Sequence, residues 1–159
     1  MKQVCLKCLF NVYQENELEG MDLHLIQAAK EAVKSAYVPY SQFRVGAAAL
    51  LENGEVVCGS NQENAAYPSG TCAERTALFY AGARYPGVAV RALAVAAFNK
   101  GEYLAAPIPP CGACRQVILE TEKQAGKPLR ILLYGTLGTY VTEGIANLLP
   151  LNFTSDNMK

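Results

Sequence analysis

Three cysteines and one glutamate hold the pattern with the most chemistry in it: Cys72 with Glu74 two positions on, and Cys111 with Cys114 three positions on. Residues at i and i+3 of a helix share a face, so a helix starting at Cys111 lets both its sulfurs reach one ion. A helix N-terminus also favours thiolate over thiol. Alone, the C-x-x-C pair leaves zinc, a redox couple and coincidence all open. Cys72 sharpens the choice, because it too stands at a predicted helix start. Three thiolates make an incomplete tetrahedron around zinc. Structural zinc sites are closed by four protein ligands, whereas catalytic ones keep a position for water, and zinc makes that water acidic enough to ionise near neutral pH. Glu74 does not share a helix face with Cys72, so its spacing suits a proton-shuttling base better than a fourth ligand.

Both motifs need rigid elements behind them. Residues 1–20 read as an appendage, with a strand-like piece over 4–12 and an acidic turn to Gly20; residues 21–159 read as one catalytic domain. Asp22 is placed as an N-cap, and Leu23, Ile26, Ala29, Val33 and Ala36 recur at helical spacing up to about Tyr37. Two apolar runs, 43–51 and 55–59, flank Asn53-Gly54, a hairpin signal. A polar loop over 60–71 leads into a helix over 72–83, expected to end at Gly82. A strand over 91–98, a loop with three prolines over 99–110, a helix over 111–123 and a strand over 129–134 follow. A short strand near Tyr140 and a last helix over 143–149 end the pattern. The hairpin supplies an antiparallel part, and the alternating second half implies right-handed crossovers and parallel strands. The expected fold is α/β, a three-layer α-β-α sandwich around a mixed five-stranded sheet.

Composition narrows the partners. Lys plus Arg and Asp plus Glu each number 14, so no basic surplus exists to neutralise a phosphate backbone. A nucleic acid and an anionic membrane surface are both disfavoured. No apolar run is long enough to span a bilayer. The N-terminal residues are interrupted by Lys7, Asn11 and Gln14, unlike a signal peptide. Reduced cysteines in a cytoplasmic protein are the reading that follows. Charged residues make up only 18% of the chain, against roughly 25% in typical domains, which points to surface covered by subunit contacts.

The segment Thr71-Cys72-Ala73-Glu74-Arg75-Thr76-Ala77, together with Pro110-Cys111-Gly112-Ala113-Cys114-Arg115-Gln116, resembles the two zinc motifs of the nucleoside cytidine deaminases. Phe43-Arg44-Val45-Gly46-Ala47, Asn61-Gln62-Glu63-Asn64-Ala65 and Leu148-Leu149-Pro150-Leu151-Asn152-Phe153 look like further family segments in family order. The resemblance covers roughly residues 22–155. It implies one Zn²⁺ per subunit on Cys72, Cys111 and Cys114, with Glu74 passing protons among water, N3 of the base and the leaving ammonia, as zinc deaminases do in general. It further implies that Arg75 offsets the charge of the ligand sulfurs, and that Asn61 and Glu63 hold the ribose hydroxyls. Phe43 and Ala73 fall on substrate-binding positions. Phe153 matches an aromatic that reaches the base from a neighbouring subunit. A homotetramer with shared active sites, acting on cytidine and 2′-deoxycytidine in pyrimidine salvage, is the expectation.

Blander readings stand beside these. A closed, non-catalytic zinc knot needs a fourth ligand from Cys5, Cys8, Cys58 or His24, and it leaves Glu74, Asn61 and Glu63 unexplained. Cys5 and Cys8 form a second C-x-x-C without a helix start; Cys58, at a strand end, reads as core; His24 reads as surface or boundary. Pro109 stands where the family often has a small polar residue, next to the expected amino-group wall. Cytosine editing in RNA or DNA conflicts with the zero net charge. Deamination of a modified cytosine nucleoside such as blasticidin S shares the zinc motifs, but is less suited to Phe43 and the ribose-type segment.

Overall fold

The computed structural model describes residues 1–159. Its framework is one mixed sheet with strands in the order β1-β7-β6-β4-β2-β3, where β1 is Asn11–Tyr13, β2 Arg44–Leu51, β3 Val56–Ser60, β4 Val90–Asn99, β6 Arg130–Leu133 and β7 Thr139–Glu143. A two-residue β5, Glu102–Tyr103, turns back on the end of β4. The helices are α1 (Gly20–Ala32), α2 (Ala73–Arg84) and α3 (Gly112–Ala125).

Alternation along the two central strands explains the layering. Ala47, Ala49 and Leu51 of β2, with Leu93, Val95 and Ala97 of β4, face one way and pack with α2 and α3. Ala48, Ala92, Ala94 and Ala96 face the other way, where Leu25, Ile26 and Ala29 of α1 cover them. Small residues on that second face let α1 lie close to the sheet. Gly46 marks the closest approach: a Cβ there would stand 2.1 Å from the Ala29 carbonyl oxygen. On the other side Gly59 of β3 does the same for α2, since a Cβ would meet Ala73 O at 2.6 Å and Ala77 N at 2.5 Å. Only glycine therefore lets the first turn of α2 press against the sheet, and that turn carries the chemistry.

The hairpin of β2 and β3 forms around Asn53-Gly54, with Gly54 at φ +88. The crossover through α3 is parallel, Ala92 to Val95 pairing with Arg130 to Leu133. The three-layer mixed fold stands as read, with departures in its parts. The sheet has seven strands rather than five, because β1 and β5 join it. Only β4 and β6 are parallel; β7 returns antiparallel to β6, since the short Tyr134–Gly138 connection has no room for a crossover helix. The expected last helix is a single 3-10 turn, Ile145–Asn147, preceded by Gly144 at φ +83. Asp22 is no cap: α1 starts at Gly20, with Glu19 in the capping position. Its carboxylate instead accepts from Arg130, 2.6 Å from Nη2. Helix α2 runs through Gly82 to Arg84. Cys58 is exposed rather than core, because the strand's alternation turns Val57 and Gly59 toward α2 and leaves Cys58 on the far face of an edge strand.

Candidate active site

Helices α2 and α3 both begin at a cysteine. Cys72 caps α2 at φ −78, ψ 158, and Cys111 caps α3 at φ −64, ψ 167. Neither thiol makes a capping hydrogen bond to its helix's backbone, and both lie at positive helix-dipole ends. Cys114, one turn into α3, is fully buried. The three sulfurs lie within 4.8 Å of one another, Cys72 Sγ and Cys111 Sγ at 3.7 Å. Tetrahedral zinc with bonds of about 2.3 Å puts its sulfurs about 3.8 Å apart. The triad fits that ion.

Its electrostatics fit as well. Cys72 is held down to about 5, first by the Cys114 thiol hydrogen-bonding to it and then by Arg75 and Cys111, with burial opposing. Cys114 is pushed far above the ordinary thiol range by that same Cys72 and by burial. Three crowded thiols cannot all ionise by themselves; a divalent cation removes the conflict. Arg75 donates from Nη2 to Cys72 Sγ at 3.7 Å, while its Nε is buried without a partner. Glu74 is only 4% exposed on the first turn of α2, and burial raises its pKa above the usual carboxylate value, with the Cys72 charge adding to the rise.

Beside the triad opens a cavity of about 520 Å³, bordered by Cys72 and Arg75 at its floor and by Asn61 and Glu63 on its wall. Glu63 accepts from the backbone N–H of Tyr40 (2.9 Å) and Ser41 (3.2 Å). The Ser41 side chain first, and the backbone N–H groups of Tyr40 and Ser41 after it, hold the Glu63 carboxyl below its ordinary value, with burial opposing. Asn61 accepts from Val45 N at 2.8 Å and donates to Phe43 O at 2.9 Å, leaving one amide N–H uncommitted.

The structure thus brings Cys72, Glu74, Arg75, Cys111 and Cys114 together, with Asn61 and Glu63 across the cavity. It does not bring the two phenylalanines there. Phe43 is half-buried against the main core, and Phe153 stands 58% exposed outside the cavity. Ala73 is fully buried at the first position of α2. Pro109 is exposed and does not border the cavity. His24 is exposed, as are Cys5 and Cys8. Tyr40 and Tyr67, whose rings stand 6.2 Å apart on the cavity rim, were not singled out from sequence. Both flank the motifs that were, Tyr40 in Pro39-Tyr40-Ser41 and Tyr67 just after Asn61–Ala65, and aromatics beside a polar motif were the available signal.

Two helix starts delivering three thiols and a buried carboxyl to one point, under a mixed sheet, define the zinc-dependent deaminase class of hydrolases. Comparison with known proteins agrees. Residues 20–125 match the family described as the cytidine and deoxycytidylate deaminase zinc-binding region. A cytidine deaminase of Halalkalibacterium halodurans is 43% identical over 136 residues, covering 84% of this chain and 95% of that one. One of Sporosarcina psychrophila is 42% identical over 137 residues, covering 84% and 92%. The crystal structure of cytidine deaminase from Burkholderia pseudomallei superposes with a TM-score of 0.69 at 46% identity, covering 82% of this chain and 97% of that one. The chain belongs to the cytidine and deoxycytidylate deaminase family, and its cofactor is zinc. No helix is long and apolar enough to cross a membrane.

Proposed function

We propose that this enzyme hydrolyses the 4-amino group of cytidine and 2′-deoxycytidine, yielding the uridine nucleoside and ammonia, in the cytoplasm and for pyrimidine salvage. One observation carries the reading: a carboxyl raised by burial, Glu74, sits on the same helix turn as one thiol of a metal-fitting triad and beside a nucleoside-sized cavity. Cys72, Cys111 and Cys114 would hold one zinc per subunit, and the ion would supply the acidity that makes water nucleophilic at neutral pH. Glu74 takes the proton that water gives up and delivers it to N3 of the base; it then takes the remaining proton of the hydroxyl now on C4 and passes it to the departing amino group, which leaves as ammonia with a carbonyl remaining at C4. A raised pKa suits a group that must both accept and release a proton near neutrality. Arg75 offsets the negative charge of three thiolates around a divalent ion.

Across the cavity, Glu63, held below its ordinary value by the Ser41 side chain and then by the Tyr40 and Ser41 backbone donors, offers its remaining lone pairs to a ribose hydroxyl. Asn61 donates its free N–H to the same sugar edge. Buried Ala73 has only its backbone to offer the base, and Phe43 braces Asn61 through its carbonyl. The ring that packs on the base is Phe153 of a neighbouring copy, in a homotetramer with shared sites. Zero net charge supports a free nucleoside over a polynucleotide.

Absorbance near the cytidine band during incubation of zinc-loaded enzyme with cytidine tests this. A steady fall matching uridine formation is expected, with Glu74→Gln retaining zinc and losing on the order of 10²–10⁴-fold in kcat. A flat trace with zinc bound overturns the substrate and moves the reading to a modified cytosine nucleoside. Full turnover in Glu74→Gln removes Glu74 from the proton path.

A further inference from the structure

The C-terminal segment has no regular structure between the Ile145–Asn147 turn and a last 3-10 turn, Ser155–Met158, yet α3 holds it along its length. Arg115 donates through Nε to Pro110 O at 2.8 Å and through Nη1 to Leu148 O at 2.6 Å. Gln116 donates from Nε2 to Phe153 O at 2.9 Å. Lys123, two turns on, reaches Asp156 at 2.6 Å and Ser155 at 3.3 Å. The tail is therefore pinned by its backbone and polar groups while its apolar side chains point away: Leu151 is 80% exposed and Phe153 58%. A ring that is fixed at its carbonyl but left in water is presented to something outside its own subunit.

The cavity, for its part, is incomplete. Of its eleven lining residues three are hydrophobic, two of them the rim tyrosines, so one copy supplies polar grips for a sugar but no apolar wall for the base. Both deficits close if the tail of one copy covers the cavity of the next. This rests on the shared-site reading above and deepens it.

We propose that Gln116 is a positioning residue: with Arg115 holding the tail at Leu148, it sets where Phe153 stands and so tunes the base-binding wall of the neighbouring copy's site rather than of its own. The same Arg115 guanidinium ties the tail to Pro110, the residue before Cys111. Each subunit's metal-holding turn is thereby mechanically joined to the wall it offers its neighbour.

Gln116→Glu removes the donor and sets a carboxylate against the Phe153 carbonyl. KM for cytidine is expected to rise roughly tenfold, the scale of one net hydrogen bond, with kcat within about twofold, because a uniform binding contribution is lost. Gln116→Lys, which keeps a donor, should stay near the parent KM and shows that the position tolerates change without misfolding. The decisive step is co-expression of Gln116→Glu with inactive Glu74→Gln subunits under two affinity tags. Purified hybrids are expected to recover the parent KM, since Glu74→Gln subunits offer sound tails to the intact sites of their neighbours. Hybrids that keep the raised KM overturn the inference while leaving the shared site standing. A chain that sediments as an active monomer overturns the shared site and this inference together.

Discussion

Arg75 Nη2 lies 3.7 Å from Cys72 Sγ, while its Nε is buried and unpaired. An arginine one turn inside a helix commonly extends to solvent; this one folds back over the sulfur that caps its own helix. The contact raises the pKa of Arg75 and lowers that of Cys72. Each group thus stabilises the charged form of the other.

Replacing that guanidinium should leave the fold and expose the charge problem. Arg75→Ala is expected to keep zinc at neutral pH but to lower kcat by about 10–100-fold, the usual scale for losing a group that supports a metal ligand. Zinc release to a competing chelator should quicken by a comparable factor, a readout independent of turnover. Parent-like values of both kcat and the release rate would show that the Arg75–Cys72 contact is incidental.

Much of this site was legible because helix starts leave local marks. Cys72 and Cys111 were readable as helix starts, each following a loop, and Glu74 followed from its offset. What stayed hidden depends on distant partners. Asp22 looks like a cap until Arg130, 108 residues away, claims its carboxylate. Cys58 looks like core because its strand is apolar, and nothing local says that β3 is an edge strand whose outer face α1 covers only in part. The direction of β7 was set by the length of a turn rather than by its own residues. Phe43 and Phe153 show the same limit in the site: sequence order can assign an aromatic to a base, but that one ring lies against the core and the other stands in solvent is set by packing that no local pattern records.

The N-terminal arm gives a prediction that leaves chemistry untouched. Asn11–Tyr13 pairs with Thr139–Val141, Leu9 is held by Asn147 at 2.9 Å and Thr142 at 2.8 Å, and the Phe10 ring lies 6.2 Å from that of Tyr140. The arm closes what would otherwise be an open sheet edge at β7. Phe10 is half-buried, so Phe10→Ala should cost roughly 1–2 kcal/mol, or about 2–8 °C in Tm for a chain of this length. Amide exchange in β7 should speed up while kcat and KM hold, since no arm residue borders the cavity. Unchanged protection of β7 together with an unchanged Tm would mean that the arm adds nothing to the edge it covers.

Glu122 offers a prediction in which burial and hydrogen bonding oppose each other. Its Oε1 accepts from Leu129 N at 2.9 Å and Ile145 N at 2.8 Å, joining α3 to the start of β6 and to the 3-10 turn before the tail. Burial raises its pKa above the ordinary 4.5, with the two backbone donors pulling it down by less. A carboxyl whose folded pKa is raised binds its proton more tightly in the native state. Its stabilising contribution is therefore complete below the unfolded value and is lost as pH climbs through the folded one. Gln at this position keeps an acceptor for both N–H groups and carries no charge. Glu122→Gln should thus match the parent Tm near pH 4 and exceed it at pH 8. Glu122→Ala should fall below the parent at both pH values, because two buried donors lose their acceptor at about 1–3 kcal/mol each. Thermal melts of the three proteins at the two pH values decide it: a Gln variant less stable than the parent at pH 8 means that the charge-assisted bonds outweigh the burial of the charge.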